Sequence, residues 1–140
     1  MSAGAGPGQA AAVDGGSWGF DDGGLLDALE RTSLDGIDAI GFGLIVMDRS
    51  GGVIGYNAAE SRLSGLSRET VTGRNFFTDV GPCTNNYLIA QRYADCGELD
   101  AELDEQLDYV FTYRMAPTPV RLRLLARRGS PRHYLAVRTW

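Results

Sequence analysis

The order of apolar and polar positions divides the chain into two strand-like parts with a helical part between them. Residues 41–48 are almost wholly apolar, residues 49–52 (RSGG) are typical of a turn, and residues 53–57 resume the apolar pattern. This predicts a buried strand, a turn and a returning strand. Near the carboxyl end, apolar residues recur at every second position, and the alternation predicts three more strands, at 107–115, 120–127 and 133–140.

Helix patterns fill the interval between the two groups of strands. Asn57 stands three residues before Glu60, which fits a capping box at the start of a short helix. Ser67 can cap a second helix, and residues 87–96 can form a longer third one. Two strands, several small helices and three strands predict an α+β domain, in which a five-stranded antiparallel sheet carries helices on one face.

The amino-terminal part divides into two segments. Residues 1–20 are rich in Gly and Ala, and we expect them to be flexible. Within residues 21–34, leucines at helical spacing follow acidic residues, which predicts an N-terminal helical cap packed on the domain. Residues 35–140 then form a single folded domain, and a chain of this size can bury a substantial core.

Charge and composition narrow the function classes. The 140 residues carry a net charge of −5, so nucleic-acid binding is disfavoured, although residues 114–140 contain seven arginines and no acid. In residues 120–128 arginines alternate with apolar residues, which predicts a solvated face of the sheet. The chain has no lysine, so Schiff-base chemistry has no side-chain amine to use.

Neither a membrane span nor a signal peptide is predicted. The longest apolar stretch, around residues 42–47, is far too short to cross a bilayer, and residues 1–16 lack a basic start followed by an apolar run. We therefore expect a cytoplasmic protein that does not bind a membrane and keeps both cysteines reduced. Cys96 matches no functional role, and we interpret it as a structural thiol near the end of a helix.

Few residues suggest catalysis or ligand binding on their own. Cys83 and His133, the only histidine, give weak support for a thiol enzyme because no motif links them, and no Cys/His cluster has metal-ligand spacing. Tyr56, Glu60 and Ser64 follow one another at one-turn spacing, so they can lie on one side of the first helix. They fit a core aromatic, a cap and a surface residue, but a phenol and a protonated carboxyl are also donors for a buried oxyanion. The spacing does not decide between these interpretations.

Three separate stretches resemble the photoactive yellow protein family, bacterial blue-light receptors with the PAS fold. They are residues 34–60, 73–84 and 109–124, and they occur in the family's order. The resemblance implies a PAS photosensor domain over residues 35–140, without enzymatic activity, whose chromophore is 4-hydroxycinnamic acid (p-coumaric acid). In this family the chromophore is attached through a thioester to the cysteine that matches Cys83.

The resemblance also implies roles for individual residues. Tyr56 and Glu60 match the phenol and the carboxylic acid that hydrogen-bond to the chromophore phenolate, and Ser64 stands where the family commonly has a threonine that supports the tyrosine. Met115 matches a methionine that assists thermal re-isomerisation. The chromophore pocket is further expected to include Ile45, Leu66, Phe76, Pro82, Tyr109, Phe111 and Tyr113. Because Leu66 replaces a family arginine that covers the pocket, we expect colour and recovery rate to differ.

The implied mechanism depends on a buried charge. Hydrogen bonds from Tyr56 and a protonated Glu60 would stabilise a phenolate away from water. Light isomerises the chromophore, Glu60 passes its proton to the phenolate, and a buried carboxylate remains at high free energy. We expect partial unfolding of the N-terminal cap to relieve it and to act as the signal to a downstream signalling protein. We expect the receptor to be a monomer.

Other ligands of PAS domains fit the sequence less well. Residues 73–77 resemble a flavin-binding motif, but Phe76 occupies the place of the reactive cysteine. Haem needs an axial ligand, and His133 in a terminal strand is a poor candidate. The remaining alternative is a PAS interaction module without photochemistry, either ligand-free or with another ligand.

Overall fold

Twelve short elements build the part of the chain that the computed structural model describes, residues 19–112 and 117–139. In chain order they are α1 (Leu25–Glu30), a 3₁₀ helix (Leu34–Ala39), β1 (Gly43–Met47), β2 (Val53–Tyr56), α2 (Ala58–Ser64), α3 (Arg68–Val71), a π-helical turn (Phe76–Val80), a 3₁₀ turn (Pro82–Thr84), α4 (Ala90–Leu99), β3 (Leu103–Phe111), β4 (Thr118–Ala126) and β5 (His133–Thr139). Most of the segment predicted to be flexible, residues 1–18, lies outside the described residues.

All five strands pair antiparallel in one sheet with the order β2-β1-β5-β4-β3, which confirms the predicted five-stranded antiparallel sheet. The last strand, β5, is central, and its Leu135 stands opposite Ile45 on one side and Leu124 on the other. The predicted turn between β1 and β2 is closed by Asp48, whose carboxylate accepts a hydrogen bond from the backbone of Gly52 (2.8 Å). At this turn Gly51 has a φ of +94°, a conformation that favours glycine.

Side chains alternate between the two faces of the sheet, and each face is covered by its own buried cluster. Helices α2, α3 and α4 lie on one face, and the cluster beneath them, the helix-side core, includes Ile45, Met47, Tyr56, Val71, Phe76, Ile89, Tyr93, Phe111, Leu122, Leu124, Leu135 and Val137. The N-terminal cap lies on the opposite face, and its cluster, the cap-side core, includes Phe20, Leu25, Leu26, Leu29, Ile37, Ile40, Leu44, Val46, Leu125, Tyr134 and Ala136. Phe20 and the 3₁₀ helix flank the predicted cap segment 21–34 and share its cluster, so residues 20–39 are here called the N-terminal cap.

Asn57 joins three parts of the fold. Its Oδ1 accepts hydrogen bonds from the backbone N–H groups of Glu60 (2.9 Å), in α2, and Leu44 (2.9 Å), in β1. Its Nδ2 donates to the backbone carbonyls of Ile37 (3.2 Å) and Phe42 (2.9 Å). The predicted helix cap at Asn57 is thus confirmed. The same side chain ties the 3₁₀ helix of the cap to the first turn of α2.

The prediction of a solvated arginine face is wrong for Arg123, which is only 3% exposed. Its guanidinium pairs with both carboxylate oxygens of Asp104 (2.8 and 2.9 Å). It also donates to the backbone carbonyls of Phe20 (2.9 Å) and Asp22 (2.7 Å). The physical reason is that the N-terminal cap folds over this part of the sheet, and only long-range contacts place it there.

Element boundaries differ from the predicted ones on either side of the acidic stretch. β3 begins at Leu103, four residues before the predicted start at 107, and an acid in this extra part is paired with an arginine of β4, Asp104 with Arg123 (2.8 Å). α4 begins at Ala90, after the predicted start at 87, and runs to Leu99. Asp100, at a φ of +51°, ends it.

Candidate functional site

The phenol of Tyr56 lies between the side chains of Glu60 and Ser64. Tyr56 is the last residue of β2, Glu60 is in the first turn of α2 and Ser64 ends that helix. The Tyr56 hydroxyl is 2.7 Å from Ser64 Oγ and 3.5 Å from Glu60 Oε2. Tyr56 and Glu60 are both 0% exposed. The structure thus brings the three residues together around one buried hydroxyl.

A glycine on the neighbouring strand makes room for the Glu60 carboxyl. A Cβ atom at Gly43 would overlap Glu60 Oε1 and would lie 3.2 Å from the backbone oxygen of Val137. The carboxyl therefore packs directly against the backbone of β1, where only hydrogen fits. Sequence reasoning missed Gly43, because glycine within an apolar run gives no indication of which side chain approaches it.

Three of the predicted pocket residues lie in the same apolar core as Tyr56. Ile45, Phe76 and Phe111 are fully buried in the helix-side core together with Tyr56, and Ile45 stands opposite Tyr56 in the β1–β2 ladder. Burial in such surroundings disfavours a carboxylate relative to a neutral carboxylic acid. The site therefore places the hydrogen-bonding side chains of Tyr56 and Glu60 in buried, largely apolar surroundings.

Cys83 lies in the 3₁₀ turn that follows the π-helical turn. Its side chain is partly buried and packs against the helix-side core, and both cysteines are free thiols. The Thr84 hydroxyl closes the turn by donating to the carbonyl of Gly81 (2.6 Å). Pro82 starts the turn with its side chain exposed, so the structure does not bring this predicted pocket residue into the cluster.

Two further predicted pocket residues line the edge of the helix-side core. Tyr109 and Leu66 are partly buried against it, and the Tyr109 ring meets that of Phe111 edge-on, with centroids 6.3 Å apart. Leu66 also lines a cavity of about 240 Å³. Arg74 lines the same cavity. Tyr113 and Met115 lie outside the described residues, and their roles stay predictions.

The carbonyl oxygen of Cys83 is held by two side chains. The Tyr109 hydroxyl donates to it, and Asn86 Nδ2 donates to it at 3.0 Å. Sequence reasoning passed over Asn86, although an asparagine four residues before a helix is a common turn residue. The pattern could have predicted the turn, but not the contact with Tyr109, which is 23 residues away.

His133 and Cys96 have packing contacts of their own. The His133 ring stacks on Tyr93 with centroids 5.3 Å apart, and burial lowers the pKa of His133 from its usual value. The Cys96 thiol donates to the carbonyl of Ala101 (2.6 Å), and burial raises its pKa. Among residues 19–112 and 117–139, no cluster of His, Cys, Asp and Glu could hold a metal ion. In the same ranges, no helix is both long and apolar enough to span a bilayer.

Comparison with known sequences shows which proteins this chain resembles. The family model described as the PAS fold matches residues 35–137. A photoactive yellow protein of Rhodothalassium salexigens is 40% identical over 88 residues, which are 63% of this chain and 70% of that protein. The photoactive yellow protein of Halochromatium salexigens is 36% identical over 107 residues, 76% of this chain and 83% of that protein.

A solved structure gives the same result in three dimensions. The photoactive yellow protein domain of the sensor histidine kinase Ppr from Rhodospirillum centenum superposes with a TM-score of 0.71 at 39% sequence identity. The match covers 81% of this chain and 98% of that domain.

Proposed function

The chain belongs to the photoactive yellow protein family of PAS-fold photoreceptors, and from this premise we propose that it is a blue-light receptor with p-coumaric acid linked by a thioester to Cys83. The observation that carries the proposal is the fully buried Tyr56–Glu60 pair in the apolar core against which Cys83 packs. A phenol and a neutral carboxyl are suitable donors for a phenolate that must be kept from water.

The side chains at the site suit this chromophore. Cys83 is only partly buried, so its thiol can be reached by an activated p-coumarate. Ser64 orients the phenol of Tyr56 through their 2.7 Å hydrogen bond. When bound, the chromophore supplies a light-driven isomerisation of its double bond and a phenolate oxygen that can accept a proton.

Glu60 converts the light reaction into a change of buried charge. When its carboxyl gives up its proton, a carboxylate is left at a position with 0% exposure. An uncompensated buried charge is unfavourable by about 3–5 kcal/mol, which is comparable with the roughly 5–15 kcal/mol that stabilises a typical domain. Local unfolding that admits water to Glu60 is therefore the favoured response.

Asn57 provides the route from Glu60 to the N-terminal cap. The backbone N–H of Glu60 donates to Asn57 Oδ1 (2.9 Å), and the Asn57 amide donates to the carbonyl of Ile37 (3.2 Å) in the cap's 3₁₀ helix. A shift of the first turn of α2 therefore acts directly on the cap. We propose that release of the cap is the output of the receptor.

The partner of the released cap is proposed to be a signalling protein. The related domain from Rhodospirillum centenum is part of a sensor histidine kinase, and this supports a role in signal transduction rather than in catalysis. We propose that the partner recognises the surface that the cap covers in the dark, which is the cap-side core.

Reconstitution tests the proposed function. The purified protein is incubated with an activated ester of p-coumaric acid, and the visible absorption and the intact mass are measured. We expect a yellow product whose added mass equals one p-coumaroyl group and is released by alkaline thioester cleavage. Cys83→Ala should abolish the colour, whereas Cys96→Ala, the matched control at the other thiol, should retain it. A colourless parent protein, or equal colour in Cys83→Ala, would overturn the proposal.

A further inference from the structure

Asn86, which the sequence reasoning did not use, makes four hydrogen bonds next to the proposed attachment residue. Its Nδ2 donates to the carbonyl of Cys83 (3.0 Å) and to the hydroxyl oxygen of Tyr109 (2.7 Å). Its Oδ1 accepts from the backbone N–H groups of Leu88 (2.9 Å) and Ile89 (3.2 Å). Both hydrogens of the amide nitrogen and both lone pairs of the oxygen are used.

These contacts fix which end of the amide faces Cys83. Turning the amide over would place its oxygen against the Cys83 carbonyl and its NH₂ group against two N–H donors, which removes the bonds to Cys83, Leu88 and Ile89. The Tyr109 hydroxyl completes the arrangement, because it accepts from Asn86 and donates to the same Cys83 carbonyl. Asn86, Tyr109 and the Cys83 carbonyl thus form a closed triangle, here called the carbonyl clamp.

The carbonyl clamp joins three elements that sequence separates. Cys83 lies in a three-residue 3₁₀ turn, which has little rigidity of its own. Tyr109 lies in β3, a strand at the edge of the sheet. Ile89, whose N–H is capped by Asn86, is fully buried in the helix-side core just before α4. The attachment turn is therefore held against the sheet and the helix by one amide and one phenol.

We propose that Asn86 is a positioning residue for the light reaction, which holds the Cys83 carbonyl in place while the attached group twists. This rests on the proposed function. When the attachment turn is held in place, the rotation of the attached group displaces its other end, next to Tyr56 and Glu60, where the Glu60 proton is transferred. When the turn is not held, the turn moves instead, and a smaller fraction of the absorbed photons leads to loss of the Glu60 proton.

Asn86→Asp separates the clamp from the hydrogen bonds that Asn86 accepts in the turn before α4. An aspartate can still accept from Leu88 and Ile89, but it cannot donate to Cys83 or Tyr109. We expect its quantum yield of photobleaching to fall about fivefold, the factor that corresponds to one typical net hydrogen bond. Asn85→Ala, at the exposed neighbour, is the matched control and should keep the parent yield. A parent-like yield in Asn86→Asp would overturn the proposal.

A second measurement needs no chromophore. In a Cys96→Ala background, ¹³C-carbonyl cysteine labels Cys83 alone, and its infrared frequency reports the hydrogen bonds that the carbonyl accepts. We expect an upward shift in Asn86→Asp and in Tyr109→Phe, each of which removes one donor to the carbonyl, and none in Asn85→Ala. An unshifted band in Asn86→Asp would overturn the clamp. Tyr109→Phe keeps the test valid if Asn86→Asp does not fold, because it removes one donor and retains the ring.

The two proposals fail in distinguishable ways. If the parent protein takes up no p-coumaroyl group, the proposed function fails, and the light role of Asn86 fails with it, whatever the infrared band shows. If the parent is loaded and bleaches normally but Asn86→Asp matches it, only the role of Asn86 fails.

Discussion

At the scale of single residues, the environment of Glu60 depends on the absence of a side chain at Gly43. We expect Gly43→Ala to destabilise the fold by about 1–3 kcal/mol, the usual effect of an added methyl group in a tightly packed site. Its Cβ would overlap Glu60 Oε1, so the absorption maximum of the loaded protein should also move. Denaturant unfolding and absorption spectra measure both effects.

Gly41→Ala is the control for this substitution. Gly41 lies two residues earlier, and a Cβ there would meet nothing within 4 Å. It should leave the spectrum unchanged and the unfolding midpoint close to that of the parent. Equal effects of the two substitutions would contradict the close packing of Glu60 against β1.

The residue-scale predictions from sequence succeed where contacts are local. Glu60 and Ser64 are one helical turn apart in α2, and Tyr56 ends the strand just before that helix, so local chain geometry brings the three side chains together, as the structure shows. Gly43 and Asn86 were missed because their partners are distant in sequence. Spacing cannot show that a carboxyl packs on one glycine, or that an amide meets a tyrosine of another element.

At the scale of elements, Arg123 fastens the cap to the sheet. It pairs with Asp104 of β3 and donates to two backbone carbonyls, those of Phe20 and Asp22. We expect Arg123→Gln to increase hydrogen exchange of residues 19–30 in the dark, because two cap carbonyls lose a charged donor, an interaction worth about 1.5–3 kcal/mol each. Mass spectrometry of the exchanged peptides measures this.

Arg121→Gln is the control on the same strand. Arg121 pairs with Asp108 and Gln106 of β3, so its replacement should leave exchange in the cap unchanged. A similar rise in both variants would mean that general loosening of β4, rather than the fastening by Arg123, controls the cap.

The element-scale predictions from sequence were right on the five antiparallel strands, two before the helices and three after them, and wrong where the cap covers the sheet. Period-two alternation is sufficient to predict the strands, because one face of each strand is buried. It also suggested that alternate arginines face water, which fails at Arg123 because the cap covers that position. The acidic start of β3 was missed because its charges are balanced by arginines of other elements, Asp104 by Arg123 of β4 and Glu105 by Arg92 of α4.

At the scale of the whole molecule, one sheet separates the site from the output. Ile45 and Met47 face the helix-side core, whereas Leu44 and Val46, between them, face the cap-side core. In the proposed mechanism, a change of charge at Glu60 starts on one face and is expressed on the other. Asn57, which contacts β1, α2 and the cap's 3₁₀ helix, links the two faces.

Light-induced hydrogen exchange in the cap, compared between the parent and Glu60→Gln, tests the central claim most directly. Glutamine keeps the shape and a donor but has no proton to give up, so no buried carboxylate forms after illumination. Its weaker hydrogen bond should shift the dark absorption to longer wavelength, which verifies that position 60 contacts the phenolate. We predict that exchange over residues 19–34 rises strongly on illumination of the parent and much less in Glu60→Gln. An equal rise in both proteins would contradict the claim that charge at Glu60 releases the cap.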